Sequence, residues 1–277
     1  MKSAARWILT LLLLLLPLSL VVAQAPSCAS ELNLGAAAYR NGHYDEAIQH
    51  FRRATELDPS KIVAHLYLAT AYASQYIPGV DTPDNKQFAE QAIEHYQRVL
   101  DSDAVPSAKI SSAEGIAYLY LNMKKFDDSK KYYQMASGLD PDDPENYYSI
   151  GVIDWTACYQ PRMEARARLR MRPSESLDAQ KPDQKSVCDE MKIKNGAAIE
   201  EGMQNLNKAI QLRPDYDDAM AYMNLMYREK ADVECDDPVA REQDLKTADE
   251  WVDKTLAVKR AKAEHAEQPK SESPDQP

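Results

Sequence analysis

The chain has 277 residues, a formal net charge of −11 and only eight glycines. This length is sufficient for one repeat array or about two ordinary domains. The negative charge argues against non-specific binding to nucleic acid, which requires a basic surface. We therefore predict an acidic protein surface and no nucleic-acid partner. Abundant Ala, Leu, Glu, Lys and Gln predict an all-α protein.

The first 25 residues have the composition of an export signal. Lys2 and Arg6 precede an apolar run over 7–23, which is the order of charged and hydrophobic regions in a secretory signal. The run is short for a transmembrane helix of ~20 residues, and Pro17 interrupts it. We predict that residues 1–25 are a signal peptide or membrane anchor, and that the protein is exported to a bacterial periplasm or attached to the cell envelope.

Cys28 is a candidate for lipidation. The sequence Ala25-Pro26-Ser27-Cys28 loosely resembles a bacterial lipobox, although Ala and Pro stand where Leu and a small residue are usual. The alternative is cleavage after Ala23, where small residues precede the cut. Membrane association is therefore predicted only through the N-terminus.

A degenerate pattern of small and large apolar residues at helical spacing begins at Cys28. Its first copy is clearest and consists of Leu34, Gly35, Gly42, Tyr44, Ala47, Phe51, Ala54 and Pro59. The Asn-Gly pair favours a turn between two helices, and the closing proline ends the second helix because the residue before proline avoids the helical region. The pattern resembles the tetratricopeptide repeat (TPR), a pair of antiparallel helices of about 34 residues.

Four weaker copies follow, opening near Ile62, Ile110, Pro144 and Ala219. Turn signals over 74–87 predict an enlarged loop in the second copy, and residues 156–196 interrupt the fourth. The resemblance implies an all-α, right-handed TPR-type solenoid of helical hairpins over 28–256, with about five units and two insertions. Its last helix is expected over 244–258, and residues 257–277 are predicted to be a helix end followed by a disordered tail.

The resemblance also implies a binding surface. The first helix of each TPR hairpin lines the concave face of the array, so its positions outside the core stripe point into a groove. Tyr and Trp are enriched at binding hot spots, and we expect this groove to hold a peptide or helix. The alternative is that some of these residues lie in the core in a shifted register. The predicted groove residues are Tyr39, Leu66, Thr70, Tyr118, Leu121, Tyr148, Val152 and Trp155.

The second insertion is rich in arginine. Strong helix formers without β-branching predict a short helix between Pro161 and Pro173. This helix would place Arg162, Arg166 and Arg170 along one side. These three arginines form a candidate basic site for anionic lipid, an acidic partner or a polyanion. The alternative is a solvated helix that lies against the acidic solenoid.

Export changes how the four cysteines are interpreted, because disulfides persist in oxidising compartments. Cys158 and Cys188 bracket the second insertion and are the candidate disulfide pair, with isolated thiols as the alternative. No two cysteines have the close spacing of zinc ligands, so no metal site is predicted.

Sequence motifs of metalloproteases, serine hydrolases and phosphate-binding loops are absent. We predict a protein that is not an enzyme and needs no cofactor: an interaction scaffold of the cell envelope with a protein partner. One alternative is a lipid-anchored structural component of an envelope assembly or secretion machine. Another is a thiol-dependent or metal-dependent activity at Cys158, Cys188 and Cys235. The sequence carries no signal for a particular oligomeric state.

Overall fold

A computed structural model describes residues 26–172, 175, 177 and 181–267. These described residues form ten helices and no strand. The helices are α1 (Cys28–Arg40), α2 (Tyr44–Leu57), α3 (Ile62–Gln75), α4 (Pro83–Leu100), α5 (Pro106–Asn122), α6 (Phe126–Leu139), α7 (Pro144–Arg168), α8 (Pro182–Leu212), α9 (Asp217–Ala231) and α10 (Pro238–Glu267). None of these helices is both long enough and apolar enough to cross a membrane. The predicted signal or anchor at 1–25, and the tail beyond 267, lie outside the described residues.

Consecutive helices pair into five hairpins, and each hairpin packs on the next along the chain. Phe51, Leu68 and Tyr96 belong to one buried cluster that runs through the first three hairpins. The predicted all-α solenoid of helical hairpins is confirmed. Leu34, which the repeat pattern placed in the core, is instead half exposed, because α1 is the first described helix and no described helix covers its outer side.

The helices begin where local sequence favours a start. Ser27 caps α1 by accepting a hydrogen bond from the Ser30 amide at 3.1 Å. A side-chain oxygen also caps α4 at Thr82 and α7 at Asp143, and in these two helices the cap is followed by proline. Such caps satisfy backbone amides that have no partner within the helix, and proline at the first position loses no helical hydrogen bond.

The enlarged loop of the second hairpin is shorter than predicted. The turn signals over 74–87 suggested a long insertion, but α4 already begins at Pro83, so only residues 76–82 lie outside a helix. Buried Asn85 holds this loop, accepting from the Ile77 amide at 2.7 Å and donating to the carbonyls of Ile77 and Val80. The Thr-Pro pair that resembled a turn is therefore a helix start.

The second predicted insertion, over 156–196, is largely helical. Helix α7 passes through Pro161 and continues to Arg168, and α8 begins at Pro182. The predicted short helix between two prolines is therefore the last part of α7, because the strong helix formers on both sides of Pro161 outweigh the cost of one interior proline. The fourth hairpin is lengthened rather than interrupted.

The last helix is also longer than predicted. Helix α10 spans 30 residues, and its buried residues include Ala248 and Thr255. Leu256, an apolar residue of the same helix, is nearly half exposed. The helix thus covers α9 with its central turns and projects its last turns into solvent.

Candidate ligand-binding groove

An open apolar cavity of about 440 Å³ lies among the first three hairpins. Three predicted groove residues, Tyr39, Leu66 and Thr70, line it together. The rest of its lining includes Ala36, Arg40, Phe51, Tyr67, Tyr96 and Ser111. The lining thus combines the small side chains of Ala36 and Thr70 with four aromatic rings.

The walls of this cavity are fixed by close packing and hydrogen bonds. Gly35 lets the Phe51 ring approach, since a Cβ atom at position 35 would lie 2.5 Å from that ring. The Tyr39 hydroxyl lies 2.9 Å from Ser74 Oγ, and the Tyr96 hydroxyl donates to Thr70 Oγ1 at 3.3 Å. Burial raises the pKa of Tyr96, so this hydroxyl stays protonated and can donate at neutral pH.

A second cavity of about 380 Å³ continues the first toward the start of α5. Leu66, Tyr67 and Ser111 line both cavities. Val105, with 64% of its surface exposed, lines the second. We call the two cavities together the apolar trough; it runs from α1 across α3 to α5.

Beyond the trough, α5 carries the predicted groove residues Tyr118 and Leu121 and the carboxylate of Glu114. Tyr118 is 47% exposed on this helix, and Leu121 is half-buried. Glu114 lies between α5 and α7, where it accepts a hydrogen bond from Asn146 Nδ2 at 3.2 Å. Burial raises the pKa of Glu114, the Asn146 hydrogen bond opposes this shift, and Asp143 adds to it.

The predicted groove residues of α7 are involved in packing of the fourth and fifth hairpins. Tyr148 and Trp155 both contact the Tyr222 ring of α9, with centroid distances of 5.7 and 5.4 Å. Val152 lies between them on α7 and is half-buried. Burial raises the pKa of Tyr148 to about 12. These side chains join helix to helix and leave only part of their surface to the groove.

The arginine-rich segment does not form an open basic site, so that prediction is wrong for two of its three residues. Arg162 contacts Asp232 at 2.6 Å and Glu229 at 3.2 Å. Arg166 is 2% exposed and donates to the same Asp232 carboxylate at 2.6 Å. The extra turns of α7 carry both arginines onto the end of α9, where the carboxylates of Glu229 and Asp232 neutralise them. Arg170 is exposed just beyond α7.

The predicted disulfide between Cys158 and Cys188 is also wrong. Cys188 is bonded to Cys235, with 5.7 Å between their Cα atoms, because α8 runs back beside the α9–α10 turn. Cys158 is a buried free thiol whose Sγ contacts the Asn195 carbonyl at 3.8 Å. Burial raises the pKa of Cys158 to about 12, which disfavours the reactive thiolate.

Cys28, the candidate lipidation site, is the first residue of α1 and is partly exposed. Within the described part of the chain, no three His, Cys, Asp or Glu side chains form a group that could hold a metal ion.

Several groove residues escaped the sequence analysis, among them Tyr67, Val105, Ser111 and Asn146. The repeat register placed Tyr67 outside the groove set, and Ser111 and Asn146 are ordinary polar residues within α5 and α7. Val105 carried one usable signal, since it is a large apolar residue in a short loop, directly before Pro106. The first cavity is lined by side chains from five helices, a combination that a single repeat does not encode.

Comparison with known proteins agrees with this geometry. The family model of the tetratricopeptide repeat matches residues 29–61 and 112–143, which form the hairpins α1–α2 and α5–α6. The fold is similar to the crystal structure of MamA protein, with 14% identity over 90% of this chain and 98% of that chain and a TM-score of 0.55. A MamA structure from Desulfovibrio magneticus RS-1 has 14% identity over 84% and 96% of the two chains, with a TM-score of 0.53.

A third similar structure is YrrB, described as a TPR protein with an unusual peptide-binding site; it has 13% identity over 85% of this chain and 92% of that chain and a TM-score of 0.52. A comparison with curated protein sequences found no match. Fold and repeat matches together define an α-solenoid built from helical hairpins. The chain is a tetratricopeptide repeat protein, and such repeats serve as protein-interaction modules.

Proposed function

We propose that this protein is a non-catalytic scaffold of the bacterial cell envelope that holds a peptide or helix of a protein partner in its groove. The observation that carries the proposal is the apolar trough, which crosses three hairpins and is not filled by the described side chains. The similar fold of YrrB, with its peptide-binding site, supports the same use of the fold.

The trough has the chemistry of a peptide site. Leu66 and Tyr67 offer apolar contact area, and aromatic side chains do so at low entropic cost. Thr70 and Ser111 place hydroxyl groups along the same surface, where they can hydrogen-bond a peptide backbone. A few polar groups on an apolar wall are typical of binding clefts.

The export signal and the disulfide independently support the envelope location. A charged region precedes the apolar run over 7–23, and Cys188 is bonded to Cys235. Disulfides are rare in reducing compartments. Ser27 caps α1. Lipidation of Cys28 would remove Ser27 together with the signal, so we favour a mature chain that begins upstream of Ser27.

Chemical labelling with intact-mass measurement tests this location. On the protein purified from its envelope fraction, we expect a labelling reagent to modify one thiol, Cys28, in the folded state. It should modify two thiols after denaturation and four after reduction. An acylated Cys28 as the first residue would support the lipid-anchored alternative, and four thiols without reductant would contradict the disulfide.

Site-specific photo-crosslinking tests the groove. A photoreactive residue at Tyr67 should give a discrete adduct in the envelope fraction, and Leu66→Glu in the same chain should abolish it. The matched control places the photoreactive residue at Leu139, an exposed apolar residue of α6 outside both cavities. Equal adducts at both positions, or adducts insensitive to Leu66→Glu in a chain with unchanged helical circular dichroism, would contradict the proposal.

A further inference from the structure

The apolar trough ends at a group of carboxylates, which we call the acidic seam: Glu114 of α5 with Asp140 and Asp143 of the α6–α7 turn. Asn146 joins two of them, since its Nδ2 donates to Glu114 Oε1 at 3.2 Å and to Asp143 Oδ2 at 3.1 Å. The three carboxylates are close enough for both aspartates to raise the pKa of Glu114. Like charges are therefore held together at one end of the groove.

No described lysine or arginine forms an ion pair with the acidic seam. The nearby Arg213 pairs with Glu145 at 2.6 Å and acts on Asp143 only through longer-range attraction. By contrast, the buried carboxylates Asp154, Glu229 and Asp244 each have a cation within 3.2 Å. Carboxylates that have no ion pair and are partly withdrawn from water favour an incoming positive charge.

Asn146 gives a second, independent sign of a missing partner. Its side chain is 1% exposed, and its Oδ1 atom has no hydrogen-bond partner among the described residues. Buried amide oxygens almost always accept a hydrogen bond. Its amide nitrogen is shared between Glu114 and Asp143, so the free acceptor belongs to the side chain that joins these carboxylates, and only a donor can satisfy it.

The seam and the trough are adjacent. Ser111, which lines both cavities, precedes Glu114 by three residues on α5, and side chains at this spacing share one helix face about 5–6 Å apart. An extended peptide advances roughly 3.3 Å per residue. This spacing corresponds to about two residues from Ser111 to Glu114. Since the trough extends beyond Ser111 to Leu66 and Tyr67, an apolar side chain in the trough and a group at Glu114 would be about two to three residues apart in the ligand.

We propose that the groove selects peptides in which a lysine or arginine lies two or three residues from an apolar side chain. The apolar side chain occupies the trough and the cation pairs with Glu114. The proposal rests on the peptide-binding function above and adds the chemistry of the partner. A metal ion fits less well, because no three acidic or histidine side chains of the described residues are arranged to ligate one.

The net charge of −11 acts in the same direction over longer distances. A strongly acidic protein attracts basic segments and repels acidic ones, which raises association rates at low salt. Binding should therefore weaken as ionic strength rises, and part of this salt dependence should belong to Glu114.

Selection from a phage library of random dodecapeptides on the full mature protein tests the proposal. Wild type should enrich peptides with an apolar residue and a lysine or arginine two or three positions away. Selection on Glu114→Gln should lose the basic preference and keep the apolar one. The matched control is Glu56→Gln, which makes the same chemical change at an exposed residue of α2. Selection on this variant should give the same peptides as wild type.

A synthetic peptide from the wild-type selection gives the affinity by fluorescence anisotropy. Loss of a charge-assisted contact should weaken binding to Glu114→Gln about tenfold or more, and the remaining binding should depend less on salt. Apolar enrichment without a basic preference, or an equal preference on Glu114→Gln, would overturn this inference and leave peptide binding intact. Absence of any enriched peptide would instead contradict the proposed function itself.

Discussion

At the scale of single residues, glycines determine how closely neighbouring helices pack against one another around the groove. Gly115 of α5 faces the ring of Tyr96 on α4, and a Cβ atom at position 115 would lie 2.6 Å from that ring. Tyr96 is buried and hydrogen-bonded to Thr70, so it cannot move aside easily. Gly138, by contrast, has open space where a Cβ atom would be.

This difference gives a matched pair of substitutions. Gly115→Ala should lower the free energy of unfolding by about 1–3 kcal/mol, because it overpacks a closed contact. Gly138→Ala, inside α6, should raise the free energy of unfolding by about 0.5–1 kcal/mol, since alanine restricts the unfolded chain and favours the helix. Urea denaturation of both variants measures the two signs, and equal effects would contradict the packing described.

A histidine pair joins α3 to α4. The Nδ1 atoms of His65 and His95 are 3.0 Å apart, and His65 Nε2 lies 3.1 Å from the Pro59 carbonyl. Since a carbonyl only accepts, His65 donates through Nε2, and His95 donates its Nδ1 proton to His65. Burial lowers the pKa of His95 to about 4, helped by neighbouring His65; Glu94 opposes the shift, and Arg98 and Arg52 add to it.

Stability should therefore depend on pH between about 6.5 and 4. In this window the unfolded chain binds a proton at position 95 that the folded protein does not, so the free energy of unfolding falls as pH falls. The loss should be about 1–2 kcal/mol, reduced by solvent screening at a partly exposed ring. His95→Gln retains a donor without titrating, and its stability should fall less over the same range in urea melts. Parallel curves for the two proteins would contradict this assignment.

At the scale of elements, the long α7–α8 hairpin buries a polar stripe. Asp154, Cys158, Arg162 and Arg166 follow one another at four-residue spacing on α7 and are all buried or nearly so. Burial raises the pKa of Asp154 to about 6, although Lys130 opposes the shift. The Asp232 carboxylate, on the α9–α10 turn, forms ion pairs with both Arg162 and Arg166. This turn is also fixed by the disulfide, so the stripe fastens the fourth hairpin to the fifth.

Removal of the shared carboxylate should break this fastening. Asp232→Asn leaves two buried guanidinium groups without their common partner, and breaking such a pair costs about 3–5 kcal/mol. Asp236→Asn makes the same chemical change on the same turn, at an exposed residue that pairs with partly exposed Lys185, and should leave the melting temperature unchanged. Thermal unfolding followed by circular dichroism compares the two. Equal melting temperatures would mean that the buried ion pairs do not hold the hairpins together.

At the scale of the whole molecule, the two ends of the described solenoid differ. The outer face of α1 leaves Leu34 half exposed, whereas α9 is covered by the central turns of α10. Trp251 of α10 packs on a cluster that includes Ala219 and Met223. The ends of a solenoid need a polar outer face, and the charged outer surface of α10 has this property.

Truncation should separate the covering part of α10 from its projecting end. A chain that stops after Ala257 keeps Trp251 and Thr255 and loses mainly exposed residues, so its melting temperature should change by less than about 3 °C. A chain that stops after Asp237 uncovers α9 and should unfold at much lower temperature or aggregate. Similar melting curves for the two truncations would show that α10 contributes nothing to the array.

Much of the architecture could be predicted from the sequence. Helix periodicity depends on residues three or four positions apart, so Leu68, Phe51 and Ala47 identified the core of the first hairpins. Part of the groove was also predictable, because Tyr39, Leu66 and Thr70 lie outside the core stripe on the first helix of their repeats. The helix bounds near Thr82-Pro83 and Pro161 could not be predicted. A proline can mark a loop, but Pro83 begins α4 and Pro161 lies inside α7.

The sequence by itself determined the helices, the repeat and the acidic character of this protein. Only the tertiary structure decided which cysteines are bonded, which carboxylates neutralise Arg162 and Arg166, and where the trough meets the acidic seam. The reason is physical: these contacts join residues about 30 to 70 positions apart. Such pairings depend on the lengths and stacking of whole hairpins, whereas helix formation depends on neighbours within a single turn.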